Sequence, residues 1–254
     1  MERAVRSRRR SAGRALAALV ALAGLLIPAA PAQAAGPFDV LQLNLCDGGF
    51  APCYSAGRSV DSAIAAIHRR KPAVVTLDEV CAPDITRMTR ETGYLWAFAP
   101  SRDRATGGPL GCRDNRGDYG VGILTDPDLG AAGRSVIKPY TAQDGANEQR
   151  VVLCVPYSKA AACTTQLSPD AAVAARQCRE LAGTARGLGP SAVSGGDLGL
   201  TGPAANPCAP EGWSHADDGG VQHVFGAHGY RLQRSETIPI DGAAHPGLLA
   251  EFAR

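Results

Sequence analysis

Short apolar runs with alternating polar positions recur along most of the chain. Residues 38–44, FDVLQLN, show the period of two that is typical of a half-buried β-strand. Residues 73–77, AVVTL, form a continuous apolar run of the length expected for a buried strand. Further strands are predicted for YLWAFAP, YGVGILT, SVIKPY, QRVVLCVPY, ACTTQL, SAVSG, VQHVFG, GYRLQRS and GLLAEF.

Three segments between these runs have helical patterns instead. RSVDSAIAAIHRR places its apolar residues on one helical face, and PDITRMTRETG begins with proline and stops at glycine. A third helix is predicted from Ser168 to about Gly187, with Ser168 as the N-cap and Pro169 at the first helical position. Many strands with a few helices between them, and no repeat or linker, predict one layered α/β domain.

The first 34 residues have the pattern of a secretory signal peptide. A basic head is followed by an apolar stretch and by the small-residue site Ala32-Gln33-Ala34. A membrane anchor is the alternative, but the apolar run Ala15–Ala30 is too short to span a bilayer and contains Pro28. We therefore expect a signal peptide at 1–34, one domain at 35–254, no integral membrane segment in the mature chain, and a secreted, extracellular protein.

Charge and cysteine content refine this expectation. The formal net charge is +2, but six arginines lie in the first 34 residues, so the remainder lacks the basic surface typical of nucleic-acid binding. All eight cysteines follow residue 34, and their even number in an exported chain indicates disulfides. About 105 pairings are possible. We expect the sequential one: Cys46–Cys53, Cys81–Cys112, Cys154–Cys163 and Cys178–Cys208.

Four polar residues stand where predicted strands end or begin: Asn44, Glu79, Asp197 and His245. Each alone is explained as a turn former or a structural histidine. Side chains at one rim of a sheet can, however, converge on one site. Carboxylate and amide oxygens suit a hard cation such as Mg²⁺, which neutralises phosphoryl charge while a carboxylate or histidine activates water.

The ordered motifs LNLC, TLDEVC, DYGVGIL, CTTQL, GGDLGL and HPGLLAEF resemble the endonuclease/exonuclease/phosphatase superfamily, in particular its secreted, cysteine-rich actinobacterial members. The resemblance covers nearly all of residues 35–254. It implies an α/β fold, a four-layer sandwich in which two mixed β-sheets pack face to face with helices outside. It also implies a Mg²⁺-dependent phosphoesterase related to deoxyribonuclease and bacterial sphingomyelinase.

The resemblance assigns a role to each candidate residue. Glu79 would be the main Mg²⁺ ligand, and Asn44 would help to place both metal and phosphate. Asp197 would orient or deprotonate the attacking water, and His245 would complete the acid–base machinery.

Two further residues are implied to contact the substrate. Tyr119, in DYG, would touch phosphate, and Arg150, in QRVVLC, would pair with phosphate or with a site carboxylate. The expected partner is a phosphate ester of unspecified class bound by a monomeric protein.

The sequence departs from the family pattern at three positions. Gln166 stands in place of the histidine of T-H-L, Gly199 in place of the asparagine of G-D-x-N, and Ala244 in place of the aspartate of D-H. Glutamine carries no proton that titrates near neutral pH. These departures predict a degenerate active site with reduced or lost activity.

Three interpretations therefore stay open: a phosphoesterase with altered catalytic groups, a non-catalytic extracellular binding protein for a phosphate-bearing ligand or a partner protein, and a purely structural disulfide-stapled domain. A separate feature lies at SHADDGG, where Asp217 and Asp218 could bind a cation with His215. A polar turn is the simpler explanation of that segment.

Overall fold

Two six-stranded mixed sheets form the body of the protein, whose computed structural model describes residues 37–254. The predicted signal peptide lies outside the described residues. The elements are, in chain order, β1 (Phe38–Asn44), α1 (Arg58–Arg70), β2 (Val74–Cys81), α2 (Ala82–Thr92), β3 (Leu95–Pro100), β4 (Arg102–Asp103), β5 (Tyr119–Thr125), β6 (Val136–Pro139), β7 (Glu148–Gln149), β8 (Val151–Pro156), β9 (Ala161–Gln166), α3 (Ala171–Arg186), β10 (Ala192–Asp197), β11 (Ser214–Asp217), β12 (Gln222–Gly226), β13 (Arg231–Ile238) and β14 (Gly247–Ala253).

The two sheets have matching topologies. The first has the order β13-β14-β1-β2-β5-β3, and the second has the order β11-β12-β10-β9-β8-β6. Within each sheet one central pair is parallel, β1 with β2 and β9 with β10, and the other pairs are antiparallel. Parallel neighbours end at the same edge of a sheet, so each sheet presents two strand ends at one rim.

Three apolar cores hold the layers together. The central core lies between the sheets and includes Val40 and Val193. A second core packs α1 against the outer face of the first sheet, through residues such as Ile67. A third packs α3 against the outer face of the second sheet, through residues such as Leu181. The predicted four-layer α/β sandwich, with two mixed sheets face to face and helices outside, is confirmed.

The start of α3 corrects one prediction. The N-cap is Asp170 rather than Ser168, because the Asp170 carboxylate accepts hydrogen bonds from the Ala172 and Val173 backbone N–H groups at 2.9 and 3.0 Å. Ser168 instead supports the cap, since its Oγ accepts the Asp170 N–H at 3.0 Å. A carboxylate in this position satisfies donors that have no partner inside the helix.

Asp170→Ala is expected to lower the free energy of unfolding by about 1 kcal/mol, the usual contribution of an N-cap side chain. Urea unfolding with the disulfides intact measures the change. Asp170→Asn is the matched control, since asparagine caps about as well as aspartate. Equal losses in the two variants would contradict the assignment of the cap to the side-chain oxygen.

The four sequential disulfides are those of the structure: Cys46–Cys53, Cys81–Cys112, Cys154–Cys163 and Cys178–Cys208. The third joins directly opposed residues of β8 and β9. Cys46 lies two residues beyond the end of β1, and Cys81 ends β2. The first disulfide therefore holds the loop that leaves β1, and the second joins the end of β2 to the loop that precedes β5. None of the described helices has both the length and the apolar character needed to cross a membrane.

Candidate functional site

The ends of the two parallel strand pairs face each other across the sandwich. In the first sheet Asn44 is the register partner of Asp78, and in the second Gln166 is the partner of Asp197. His245 precedes β14, which runs antiparallel beside β1, so it lies at the same rim. Tyr119 begins β5, and Arg150 precedes β8; each strand runs antiparallel to a strand that ends there. The fold thus brings all the candidate residues to one rim.

Glu79 is presented to this rim by an irregularity in β2. The register between β2 and β5 shifts between Leu77 and Val80, and Glu79 has a φ of 52°. A bulge inserts an extra residue and re-aims its side chain, and a positive φ is costly for a residue other than glycine. Such strain persists only where the surroundings impose it. Here the Cys81–Cys112 disulfide follows directly.

Asn44 joins the two carboxylates across the gap between the sheets. Its Nδ2 donates to Oε1 of Glu79 at 2.9 Å and to Oδ2 of Asp197 at 3.0 Å. Its Oδ1 accepts the backbone N–H of Cys46 at 3.0 Å, which fixes the orientation of the amide. Asn44 therefore positions both carboxylates, and the metal-ligand role predicted for it stays a prediction.

Gln166 makes a second hydrogen bond to the Glu79 oxygen that Asn44 contacts. Its Nε2 donates to Oε1 of Glu79 at 2.6 Å, and its Oε1 accepts from Arg150 and, at 3.3 Å, from the Tyr119 hydroxyl. Arginine can only donate, so the atom that faces it must be the amide oxygen. Gln166 is thus held in one orientation, with an N–H group directed at Glu79.

A buried polar layer beneath the rim was not predicted from the sequence. Gln42 Nε2 donates to Oδ2 of Asp78 at 2.6 Å and to Oε1 of Gln222 at 3.0 Å, and its Oε1 accepts from Thr76. Gln222 in turn donates to Oδ2 of Asp197 at 3.0 Å. The sequence FDVLQLN could have indicated this layer, because Gln42 is two residues before Asn44 and therefore lies on the same face of the strand.

Burial sets the charge state of the carboxyl groups. Desolvation, reinforced by the charge of Asp197, raises the pKa of Asp78 well above its usual range. Desolvation also raises the pKa of Asp197, although hydrogen bonds from Asn44 and Gly199 and the charge of His245 oppose it. A carboxylate whose pKa moves toward neutrality is a better general base.

Two of the three departures from the family pattern have a structural consequence at this rim. Gly199 has a φ of 58°, and a Cβ there would lie 2.8 Å from the Ser168 carbonyl oxygen, so the loop is built around glycine. Ala244 is exposed and has no polar side chain to orient the half-buried His245. His245 lies close enough to Asp197 to lower the pKa of that carboxyl group, and among the described residues no hydrogen bond to the His245 ring is found.

A cleft of about 360 Å³ opens beside Glu79. Its lining combines Tyr119 and Arg150 with the apolar Phe50 and Leu110. Arg150 forms an ion pair with Glu148 at 3.1 Å in addition to its contact with Gln166. The cleft therefore offers a carboxylate, a guanidinium and a phenol to a ligand.

The donor set at the rim fits Mg²⁺ held through few protein atoms. Among the described residues, hydrogen bonds reach only Oε1 of Glu79, so its Oε2 is available to a cation. Mg²⁺ is usually bound by one or two carboxylates, with water and substrate phosphate oxygens completing its shell. Asp197 is the second carboxylate, and the side-chain amide of Asn44 donates hydrogen bonds to both it and Glu79.

A second cluster of ionisable side chains consists of Asp47, Asp84 and Arg116, near the ends of β1 and β2. Asp47 is paired with Arg116 at 3.3 Å and lies near Asp84. Burial, followed by Asp84, raises the pKa of Asp47 to about 7, against the opposing effect of Arg116. The folded protein thus binds this proton more tightly than the unfolded chain does, whose aspartate pKa is about 3.9.

It follows that the Asp47 contribution to the free energy of unfolding falls as pH rises from about 4 to about 7. Above that range Asp47 contributes no further pH dependence. Asp47→Asn is expected to remove this fall. Urea unfolding at pH 4.5 and 7.5 measures it, with the exposed Asp128→Asn as control. An unchanged pH slope in Asp47→Asn would contradict the assignment.

Comparisons with known proteins find solved structures with a similar fold. No protein-family model matches the sequence, and no curated protein matches it. Among solved structures, TDP2 from D. rerio complexed with single strand DNA product is 13% identical, with a TM-score of 0.65 over 87% of this chain and 100% of that one. An endonuclease/exonuclease/phosphatase family protein from Bacteroides thetaiotaomicron is 9% identical, with a TM-score of 0.65 over 85% of this chain and 97% of that one.

A mannosyl-6-phosphatase from the same bacterium is similar to this chain to the same degree, with 9% identity and a TM-score of 0.64 over 85% of this chain and 100% of that one. At these identities the likeness establishes the fold. The chain has the sandwich fold seen in these endonuclease/exonuclease/phosphatase structures.

Proposed function

We propose that the protein is an exported, monomeric, Mg²⁺-dependent phosphoester hydrolase whose activity is reduced by the loss of proton-transfer groups. The observation that carries the proposal is the bridge made by Asn44 between Glu79 and Asp197, at 2.9 and 3.0 Å. Two carboxylates from opposite sheets are thereby linked, and Glu79 lines a cleft that also contains Arg150 and Tyr119. The structural neighbours, which include a phosphatase and a DNA-bound TDP2, support a phosphate ester as the substrate.

Each residue then has a defined task. When bound at Glu79, Mg²⁺ would supply positive charge to a phosphoryl oxygen. Arg150 and Tyr119 would donate hydrogen bonds to the phosphate. Asp197, whose pKa is raised by burial, would accept the proton of the attacking water. His245 would donate a proton to the leaving oxygen, without an acidic neighbour at position 244 to orient its ring.

The reduction in rate is attributed chiefly to Gln166. An amide neither accepts nor releases a proton near neutral pH, and this one also occupies Oε1 of Glu79 at 2.6 Å. Loss of one acid–base group typically lowers a rate by ~10²–10⁴-fold. The hydrolase proposal therefore expects slow turnover.

The hydrogen bonds of Gln166 favour a second candidate function. Arg150 and Tyr119 both donate to Oε1 of Gln166, whose Nε2 donates to Glu79. Such a network can bind a phosphate-bearing ligand without turning it over. A non-catalytic extracellular binding protein is the alternative, and turnover decides between the two.

Export is proposed on two grounds. The N-terminal pattern is that of a signal peptide, and four disulfides would persist only in an oxidising compartment.

The test uses the oxidised protein, the variant Glu79→Gln, and the exposed Glu211→Gln as a matched control. Hydrolysis of bis(p-nitrophenyl) phosphate and p-nitrophenyl phosphate is measured with Mg²⁺ and with chelator. Slow turnover that needs Mg²⁺, persists in Glu211→Gln and disappears in Glu79→Gln supports the hydrolase. Turnover equal in all three proteins, or in none, contradicts it. Saturable binding of a phosphate ester without turnover would support the binding protein instead.

A further inference from the structure

We propose that His215, Asp217 and His223 form a binding site for a first-row transition metal ion, zinc above all, on the outer face of the second sheet. This site is separate from the rim cleft, and the proposal does not depend on the hydrolase function. It rests on the register of two strands, on the tautomer of a buried histidine and on the three ligand atoms that converge there.

Strand register puts the three side chains on one face. His215 and Asp217 are two residues apart on β11, so they project to the same side. His223 on β12 is the direct partner of Asp217. Its neighbour Gln222 projects into the interface between the sheets, so His223 projects outward.

The ligand atoms lie close together. His215 Nε2 is 2.9 Å from His223 Nδ1 and 4.0 Å from Asp217 Oδ2. One ligand atom from each of the three residues lies within 4.8 Å of the others. Two imidazole nitrogens bound to one tetrahedral zinc ion are about 3.3 Å apart, so a small rotation of the partly exposed His215 ring admits the ion.

A carbonyl group prepares His223 to act as a ligand. His223 is fully buried, and its Nε2 lies 2.8 Å from the Leu200 carbonyl oxygen. Because that oxygen can only accept, Nε2 carries the hydrogen and the lone pair of the neutral ring is on Nδ1, which faces His215. Histidine ligands of metals are commonly held by such an outer hydrogen bond to a carbonyl.

His215 is also placed for this role. Its ring stacks on Phe225, with centroids 4.5 Å apart and planes at 19°. In the absence of metal, His215 donates a hydrogen bond from its Nε2–H to His223 Nδ1. Binding requires His215 to carry its hydrogen on Nδ1 instead, which moves one proton within the ring through solvent and leaves the total charge unchanged.

The donor types select the metal. Two imidazoles and one carboxylate suit Zn²⁺, whose open sites have three protein ligands and one exchangeable position. Mg²⁺ is disfavoured because it prefers oxygen donors. Asp218 lies outside the cluster of converging ligand atoms, and its Oδ1 accepts the Gly220 and Gln222 backbone N–H groups at 2.8 and 3.1 Å. Half-exposed Asp217 and partly exposed His215 leave the open position accessible to solvent.

The experiment titrates purified, oxidised, metal-free protein with Co²⁺, whose visible absorption reports ligand geometry, and then displaces it with Zn²⁺. We expect one tightly bound ion per chain and a rise in Tm with Zn²⁺, because an ion that binds only the folded state stabilises it. His215→Ala is expected to weaken binding by ~100-fold or more, since even outer hydrogen-bond partners of metal ligands contribute ~10–100-fold. Asp217→Asn, at a more exposed position, provides a second variant should His215→Ala not fold.

Two controls separate this site from others. The exposed His68→Ala, on α1, and Glu79→Gln, at the rim, should both keep the tight Co²⁺ site, since Glu79→Gln removes only the weaker Co²⁺ binding to oxygen donors at the rim. Absence of Co²⁺ binding in the unmodified protein would overturn the proposal. So would full binding by both His215→Ala and Asp217→Asn, or loss of binding in Glu79→Gln, which would assign the ion to the rim.

Discussion

Gln166→His is expected to raise Mg²⁺-dependent hydrolysis of a phosphodiester by ~10²-fold or more, the lower end of what one acid–base group contributes. A neutral imidazole has one donor and one acceptor nitrogen. It can therefore keep two of the three contacts of Gln166, donating to Glu79 and accepting from Arg150. It also brings a group that titrates between pH 5 and 8, so the variant should acquire a pH dependence in that range.

Steady-state kcat/KM across pH 5–9 is the measurement. Gln166→Leu is the matched control, since it removes the amide without adding a titratable group. The double variant Gln166→His/Ala244→Asp tests the second departure, because Ala244 is exposed and accepts a carboxylate. Gly199→Asn should not be included, because its Cβ would meet the Ser168 carbonyl oxygen at 2.8 Å. A folded Gln166→His variant no faster than the unmodified protein would show that Gln166 does not limit the rate.

The second large effect is expected on stability. Gln42→Met should lower the free energy of unfolding by about 3 kcal/mol or more, because each buried polar group left without a partner costs about 1–3 kcal/mol. Gln42 is the shared partner of Thr76, Asp78 and Gln222 in a fully buried layer. Methionine fills a similar volume and makes none of those strong hydrogen bonds.

Urea unfolding at pH 7 with intact disulfides measures the loss. Leu43→Met is the matched control on the same strand, with its side chain in the apolar core of the opposite face, and should cost less than about 1.5 kcal/mol. Equal losses in the two variants would show that volume, and not the polar layer, determines the effect. The Gln42 layer would then have no special part in supporting Asp197.

Local sequence patterns predicted most of the fold, and the failures are informative. The period of two in FDVLQLN and the helical face of RSVDSAIAAIHRR correspond directly to β1 and α1. The error at the start of α3 arose because Ser168 and Asp170 are both good caps, and only the backbone path decides which carboxyl or hydroxyl oxygen reaches the free N–H groups.

The residues of the candidate site were visible in the sequence because strands end in recognisable turn chemistry. Asn44, Glu79 and Asp197 each follow an apolar run, and the departure at Gln166 could be seen from the same motif order. Their contacts could not be predicted, since those depend on two parallel pairs from different sheets meeting across the sandwich. The bulge that re-aims Glu79 likewise has no local signature.

The sequence by itself therefore determined the three helices, every strand except β4, β7 and β11, the layered α/β class and the polar residues at strand ends, because periodicity and turn chemistry act over a few neighbouring residues. The segment explained as a polar turn begins instead with β11. The tertiary structure alone decided which amide faces which carboxylate, how deeply Asp78 is buried, and that His215 and His223 meet on one face. These features depend on distances between residues far apart in the chain. Such distances are set by sheet register and layer packing rather than by any short segment.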